Sequence, residues 1–182
     1  MALILIPADP KLQEMALEVM RKARRQTYTP ERLCDLQKIL DTKYLYWWSN
    51  DMKKEEFNCE LMTEEIEFYS FGNGDRRPSK EQARVAKWCN APMETMHMGH
   101  QPIVWFMDDT HARGIFQYED QMTYREDLET VNGWQFYLDD FVKCEDGQWR
   151  ISALRMSYKK MNGMYRNPTP PEDWMPEEWD TM

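Results

Sequence analysis

The residues best suited to acid–base chemistry lie in one short region of the chain. All three histidines, His97, His100 and His111, fall within fifteen residues. Residues 112–124 then alternate between apolar and polar side chains, as a half-buried strand does, and Asp120 falls on the apolar face. An unpaired carboxylate on a buried face is unfavourable, so Asp120 must be paired or must titrate abnormally. We predict that a histidine of the preceding strand pairs with Asp120.

His97 is the histidine that we expect to face the interior. Strand alternation puts it on the same face as Ile103 and Trp105, whereas His100, three residues on, faces the other side. The two histidines therefore do not form a metal-binding pair, and we expect no metal. Paired with Asp120 inside an apolar cavity, the His97 imidazole would keep one tautomer, gain basicity and move a proton near neutral pH. The alternatives are a core histidine, and an acid bonded to backbone amides or to an arginine such as Arg155.

A third candidate group lies in the aromatic run at residues 46–51, near the end of a predicted helix. The hydroxyl of Tyr46 could donate a hydrogen bond to negative charge that develops on a substrate oxygen. Asp51 follows five residues later. The alternative interpretation is an aromatic core followed by polar residues that end the helix.

Composition indicates one globular domain with a large apolar interior. The chain has 182 residues, of which 42% are hydrophobic and 30% charged. Its net charge of −9, without a basic cluster beside exposed aromatics, argues against nucleic-acid binding. Eight Trp, nine Tyr and seven Phe suit a cavity for a flat apolar ligand.

The cysteines and the N-terminus indicate a reducing compartment. None of the four cysteines has the close spacing of a zinc or redox motif. The apolar start of the chain is too short for a signal peptide or a membrane span. We therefore expect reduced thiols and a cytoplasmic protein.

Helical signals fill the front half of the chain and strand signals the back half. Asp9-Pro10 and Thr29-Pro30 each combine an N-cap with proline at the first helical position. A short helix at residues 53–62 and a strand at 65–69 follow, and a capping-box pattern from Ser79 opens another helix. Four strand-like stretches come last, at residues 95–107, 112–124, 135–145 and 149–158.

This order predicts an α+β fold, in which an antiparallel sheet curls around helices into a cone with a ligand at its mouth. We expect an N-terminal arm at residues 1–8, a domain at 9–162 and a proline-rich acidic tail at 163–182. The arm would add a strand or pack on its own domain or a neighbouring subunit.

Two blocks of sequence resemble the SnoaL-like branch of the NTF2-like cone fold, and specifically the bacterial bile-acid 7α-dehydratases. One block is Met96-His97-Met98-Gly99-His100-Gln101-Pro102-Ile103 with Tyr118-Glu119-Asp120; the other runs from Asn132-Gly133 to Asp146-Gly147-Gln148-Trp149. Scytalone dehydratase and ketosteroid isomerase share this fold. The resemblance implies an acid–base set of His97, Asp120, Tyr46 and Asp51, with Asp51 orienting Tyr46. Tyr44 is the alternative tyrosine, and the chain departs from the dehydratases at Tyr158.

The function that this resemblance implies is a cofactor-independent dehydratase acting on a steroid-like or polycyclic hydroxy-ketone. Ketosteroid-isomerase-like proton shuttling and non-catalytic binding are the alternatives. We expect a small apolar substrate, no nucleic acid, no membrane span and a homo-oligomer, either a dimer or a trimer. The expected substrate-contacting residues are Tyr44, Trp47, Phe116, Tyr118, Met122 and Tyr137.

Overall fold

The computed structural model describes residues 3–163 and Arg166, and it confirms the predicted α+β fold. A large curved sheet encloses most of the helical layer. The elements in chain order are β1 (Ile4–Leu5), α1 (Pro10–Ala23), α2 (Pro30–Asp51), α3 (Glu55–Glu60), β2 (Met62–Ser70), β3 (Asn73–Pro78), α4 (Ser79–Asn90), β4 (Met93–Phe106), β5 (His111–Tyr124), β6 (Thr130–Lys143) and β7 (Trp149–Met161).

The first two helices begin where the sequence predicts. The Asp9 side chain accepts hydrogen bonds from the backbone N–H groups of Lys11 and Leu12, and Thr29 caps α2 in the same way. The capping box predicted for α4 is wrong: Pro78 is the N-cap residue, and no side chain caps this helix. Proline fixes φ near the required value but has no side-chain acceptor, so the start of α4 is set by backbone geometry.

Strands β4 to β7 form the predicted antiparallel meander, and the sheet order is β3-β2-β7-β6-β5-β4. Strand β2 runs parallel to β7, and β1 pairs antiparallel with β7 as an added strand. Strand β3 was not predicted. Its hairpin turn is Phe71-Gly72, in which both residues have positive φ, at 50° and 81°. This geometry matches the primed turns that join two strands most tightly.

A bulge in β4 changes which side chains face inward. The pairing of β4 with β5 shifts between His100 and Ile103, and Gln101 has φ 47°. The prediction that His97 shares a face with Ile103 and Trp105 is therefore wrong. His97 lines the interior, whereas Trp105 packs on the opposite side of the sheet, against the cluster formed with α1.

Two hydrophobic clusters cover the two faces of the sheet. The larger one fills the concave side between the sheet, α2 and α4, and includes Trp47 and Phe116. A smaller one joins Leu12, Ala16 and Val19 of α1 to Ile115, Phe136 and Leu138 on the other face. Helix α1 therefore covers part of the outer face of the sheet.

A buried ion pair lies within the larger cluster, and no sequence signal predicted it. Nζ of Lys43 lies 2.7 Å from a carboxylate oxygen of Asp139, and both side chains are fully buried. The ammonium group also lies 3.6 Å from the ring centroid of Tyr137, which is cation–π geometry.

The predicted tail lies outside the described residues, apart from residues 163 and 166. In the described part of the chain, no helix is long and apolar enough to cross a membrane.

Candidate active site

A cavity of about 300 Å³ lies on the concave side of the sheet. Strands β2, β4, β5, β6 and β7 supply one wall, and α2 and α4 supply the other. This volume is at the lower end of the range for ligand pockets. The lining residues are mostly apolar or aromatic, and the polar groups among them are Tyr46, Asn50, Ser70, Gln82, Asn90, His97, Tyr118, Asp120, Tyr137, Tyr158 and Arg166.

The imidazole of His97 is held by the carboxylate at the end of α2. Nδ1 of His97 forms a short hydrogen bond with Oδ1 of Asp51, and the backbone N–H of His97 donates to Oδ2 of the same residue at 3.0 Å. The His97 side chain is only 7% exposed. This bond fixes the ring orientation and leaves Nε2 as the nitrogen for proton transfer in the cavity.

Asp51 is a partner of the imidazole that the sequence did not predict. The strand pattern gave Asp120 as the partner of the imidazole, and the resemblance gave Asp51 as the residue that orients Tyr46. The bond at Nδ1 is made by Asp51, whose carboxylate also accepts a hydrogen bond from Thr95 Oγ1 at 2.9 Å. The helix end and β4 meet because α2 packs along β4.

The Asp51 carboxyl is held in its ionised form. Burial alone would raise its pKa, but the hydrogen bonds and charge of His97, together with the Thr95 hydroxyl, keep the pKa below its ordinary value. An ionised carboxylate at Nδ1 favours the tautomer in which Nε2 can accept a proton. It also stabilises the imidazolium that forms when Nε2 does so.

Asp120 lies directly opposite His97 in the sheet and is buried on the concave face, as predicted from strand alternation. Its carboxylate accepts a hydrogen bond from Nε2 of Gln135 at 3.0 Å. Arg155, the alternative partner, instead pairs with Glu67 and Asp140. Two carboxylates thus lie near the imidazole: Asp51 at Nδ1, and Asp120, which lines the cavity opposite His97.

Two tyrosines provide neutral hydroxyl groups in the same cavity. Burial raises the pKa of Tyr46, and the negative charge of Asp139 adds to this effect. Burial also raises the pKa of Tyr137 well above its ordinary value. Both phenols therefore remain protonated hydrogen-bond donors at neutral pH. The Asn50 side chain donates to the Tyr46 backbone carbonyl at 2.8 Å and also lowers the pKa of the Tyr46 hydroxyl, so Asn50 lies where it can help to orient this tyrosine.

The residues expected to contact substrate fall into two groups. Tyr118, Met122 and Tyr137 line the cavity. Trp47 and Phe116 lie behind its wall in the core, and Tyr44 is 36% exposed and stacks on Trp47. Within the aromatic run of α2, Tyr46 and Trp47 are buried in the core cluster, whereas Tyr44 and Trp48 are exposed.

Several lining residues were missed from the sequence. Phe68 and Phe71 come from β2 and its turn, Met156 and Tyr158 from β7, and Val85, Ala86 and Cys89 from α4. The amphipathic pattern of α4 was the available signal, since an apolar helix face must cover something. The other two histidines lie on the surface, where His100 is near Glu119 and His111 bonds Asp108.

Among the described residues, no group of three or more His, Cys, Asp or Glu side chains could hold a metal ion. The four cysteines are free. The groups that line the cavity suit proton transfer by His97, with hydrogen-bond donation from the buried phenols.

Comparison with known proteins supports the architecture. Residues 31–155 match the model of the SnoaL-like domain. A protein of Novosphingobium aromaticivorans, described as a candidate scytalone dehydratase, superposes with a TM-score of 0.64 at 18% identity, covering 77% of this chain and 95% of that one. A type 2 hexachlorocyclohexane dehydrochlorinase (LinA) gives 0.64 at 21% identity, covering 78% and 97%. A type 3 LinA of Novosphingobium barchaimii gives 0.61 at 17% identity, covering 76% and 97%. At these identities the likeness shows a shared fold.

Proposed function

Because the chain belongs to the SnoaL-like domain family, we propose that it is a cofactor-independent lyase that eliminates water from a steroid-like or polycyclic hydroxy-ketone. The single observation that carries this proposal is the His97–Asp51 hydrogen bond within a largely apolar cavity. A buried imidazole with an oriented tautomer is the arrangement that general base catalysis requires.

The proposed reaction begins at a C–H bond made acidic by a neighbouring ketone or enone. Nε2 of His97 removes the proton, and the electron pair of that bond forms a carbon–carbon double bond as the hydroxyl on the adjacent carbon leaves. The leaving hydroxyl takes up the proton now held on Nε2 of His97 and departs as water, which returns the imidazole to its neutral form. Asp51 stabilises the imidazolium that forms, since its carboxylate remains ionised.

Tyr46 and Tyr137 are the proposed hydrogen-bond donors to substrate oxygens on which negative charge builds. Their raised pKa values keep both phenols protonated, so each hydroxyl can donate a hydrogen bond to a substrate oxygen. General acid–base help supplies roughly two to four orders of magnitude in rate, and oriented donors add a comparable factor.

One feature supports an apolar ring system as substrate, and another supports elimination as the reaction. The cavity is lined largely by aromatic and aliphatic side chains, including Phe68, Tyr118, Met122 and Met156. The names scytalone dehydratase and dehydrochlorinase both describe elimination reactions. The first is an elimination of water and the second of hydrogen chloride. The proposal carries elimination over to this chain on the basis of its own imidazole and carboxylate.

A second candidate function is isomerisation, and Asp120 favours it. Its carboxylate lies opposite His97 and is 2% exposed, so it is a second group that could carry a proton between two carbons. Non-catalytic binding is the third candidate; it predicts ligand affinity without turnover.

A mass-shift screen tests the three candidates together. Purified protein is incubated with a panel of 3-oxo-Δ4 hydroxysteroids, and the products are analysed by mass spectrometry. A product that has lost one water supports the lyase, and an isomeric product of unchanged mass supports the isomerase. Binding without any product across the panel would contradict both enzymatic proposals.

The expected homo-oligomer and cytoplasmic location remain predictions. Four free cysteines support a reducing compartment.

A further inference from the structure

The sheet has a gap on one side of β7, close to the cavity. Strand β2 pairs with β7 only as far as Met156, and the N-terminal arm resumes pairing at Lys159, where the Ile6 N–H donates to its carbonyl at 3.0 Å. Between these two ladders, the arm and the β2–β3 turn stand apart, and a space opens beside Ser157 and Tyr158.

This gap is a cleft of about 340 Å³, which we call the arm cleft. Its walls are the arm on one side and the β2–β3 turn on the other, and β7 forms its floor. The residues that line it are Ile6, Pro7, Asp9, Pro10, Phe71, Gly72, Met156, Ser157 and Tyr158. The side chains of this set are mostly apolar.

The arm cleft is continuous with the candidate active site. Three residues, Phe71, Met156 and Tyr158, line both the cavity and the arm cleft. The rings of Phe71 and Tyr158 stack with centroids 4.5 Å apart and an interplanar angle of 9°. This aromatic pair therefore forms the boundary between the two spaces.

Phe71 is an unusual residue for its position. Its φ of 50° falls in the left-handed region, which bulky side chains rarely adopt and which a tight turn normally assigns to Asn, Asp or Gly. It is also half exposed, although it stacks on Tyr158. A strained aromatic residue at the boundary of a binding cavity suggests that the position serves ligand contact.

The chemistry of the arm cleft points to a neutral apolar occupant. Its one carboxylate, Asp9, already accepts hydrogen bonds from the Tyr69 hydroxyl at 2.5 Å and from the first N–H groups of α1. The charge is therefore satisfied within the protein. What remains for a ligand is the apolar surface of Ile6, the prolines and the boundary rings.

We propose that the arm cleft is a second subsite, in which the N-terminal arm binds an apolar side chain carried by the ring system in the cavity. This inference rests on the proposed function, since it takes the ring system as the ligand of the cavity. The cavity alone is at the small end of the range for ligand pockets, and the arm cleft extends the bound length past the Phe71–Tyr158 pair. The substrate class is then a polycyclic hydroxy-ketone with an aliphatic side chain.

The test compares two probes that share one ring system. The short probe is androst-4-en-3-one, which has no side chain, and the long probe is cholest-4-en-3-one, which has a branched aliphatic one. Dissociation constants are measured with the full chain by quenching of tryptophan fluorescence. Variant Ile6→Trp fills the arm cleft, and Leu5→Trp is the matched control, because Leu5 is 76% exposed on the same arm and does not line the arm cleft.

We expect Ile6→Trp to weaken binding of the long probe by about tenfold or more, because several methylene groups lose their buried site. Binding of the short probe stays within about twofold, and Leu5→Trp changes neither probe by more than this. Ile6→Ala leaves the arm cleft open and removes only part of its apolar wall, so it should weaken binding of the long probe less than Ile6→Trp does.

Equal effects of Ile6→Trp on both probes, or no effect on either, would overturn the second subsite while leaving the proposed function standing. If neither probe binds the wild-type protein, the steroid-like substrate and the subsite fall together. A crystal structure with the long probe gives a readout that does not depend on any variant. It should show the side chain between Ile6 and Phe71, and a side chain directed elsewhere would overturn the proposal.

Discussion

At the scale of single residues, the important finding is the partner of the imidazole. Strand alternation correctly predicted a buried carboxylate at position 120, because that depends on local periodicity. His97 faces inward as expected, but the shared face with Ile103 and Trp105 on which that expectation rested is removed by the bulge at Gln101. The bond to Asp51 depends on how the end of α2 packs against β4. These residues are far apart in the sequence, so local patterns carry no information on this contact.

Asp51→Asn should lower kcat more than Asp120→Asn does. An amide at position 51 can donate a hydrogen bond to Nδ1 and so favour the wrong imidazole tautomer, with a loss on the order of 10²–10⁴-fold. The Asp51 carboxylate holds Nδ1 of His97, whereas the Asp120 carboxylate accepts a hydrogen bond from Gln135, so the amide variant at position 120 should lose less. Steady-state kinetics on the substrate found by the mass-shift screen provide the measurement. The reverse order would favour the isomerase, in which Asp120 is the base.

At the scale of secondary-structure elements, β4 combines two local features that position His97. The bulge at Gln101 reverses the alternation, and Gly99 allows α2 to approach closely. A Cβ atom on Gly99 would lie 1.8 Å from Cζ3 of Trp47. The sequence block around Gly99 was recognised by resemblance, but its packing against Trp47 could be known only once α2 was in place.

Gly99→Ala should therefore destabilise the protein by about 1–3 kcal/mol, because the Trp47 ring must move away from a well-packed position. The displacement would also shift the β4–α2 contact that holds His97 and Asp51, so kcat should fall as well. Chemical denaturation and kinetics measure the two effects. Met98→Ala, at the neighbouring position, is the control, and equal stability of the two variants would contradict the close contact.

The Lys43–Asp139 pair makes a separate prediction about stability. Replacing only Lys43 by Met leaves a buried carboxylate unpaired and should lower the free energy of unfolding by about 3–5 kcal/mol. The double variant Lys43→Met/Asp139→Leu should recover most of this loss, because apolar groups of similar size can replace a buried pair. Urea denaturation distinguishes these outcomes. A double variant as unstable as the single one would show that the pair is needed for packing.

The same pair predicts how stability depends on pH. Burial raises the pKa of Asp139 from 3.8 to about 6 and lowers that of Lys43 from 10.5 to about 8, although each charge partly offsets the effect on the other. The stability that protonated Asp139 contributes is full below 3.8 and is lost as the pH rises through about 6. The stability that neutral Lys43 contributes is full above 10.5 and is lost as the pH falls through about 8.

The unfolding free energy of the wild type minus that of the double variant should therefore be lowest between about pH 6 and pH 8. Denaturation curves of both proteins across this range measure it. A difference that peaks in favour of the wild type near neutral pH would show that the pair's attraction outweighs its burial.

At the scale of the whole molecule, the order of helices and strands was enough to predict the cone. Local signals marked both proline-capped helices and all four strands of the meander. Strand β3 was missed because its residues are polar and almost all exposed, so they lack the alternation of a half-buried strand. The parallel pairing of β2 with β7 and the packing of α1 on the outer face were also missed, since both are long-range contacts.

Leu12→Ala tests whether α1 is an integral part of the fold. Leu12 is 1% exposed against the outer face of the sheet, so its truncation should cost about 2–5 kcal/mol of stability. The exposed Leu17 on the same helix is the control, and Leu17→Ala should change stability by well under 1 kcal/mol. Both variants should keep the wild-type kcat, because α1 lies across the sheet from the cavity. Equal stabilities would mean that α1 does not pack as described.

The most direct test of the central claim follows the proton itself. A bound 3-oxo-Δ4 steroid is incubated in D₂O, and deuterium uptake at the carbons activated by the ketone is followed by mass spectrometry. This readout detects proton transfer whether the overall reaction is elimination or isomerisation. We predict rapid uptake with the wild type and with His100→Ala, and a rate at least about a hundredfold slower with a folded His97→Ala variant. Uptake by His97→Ala at the wild-type rate would contradict the account.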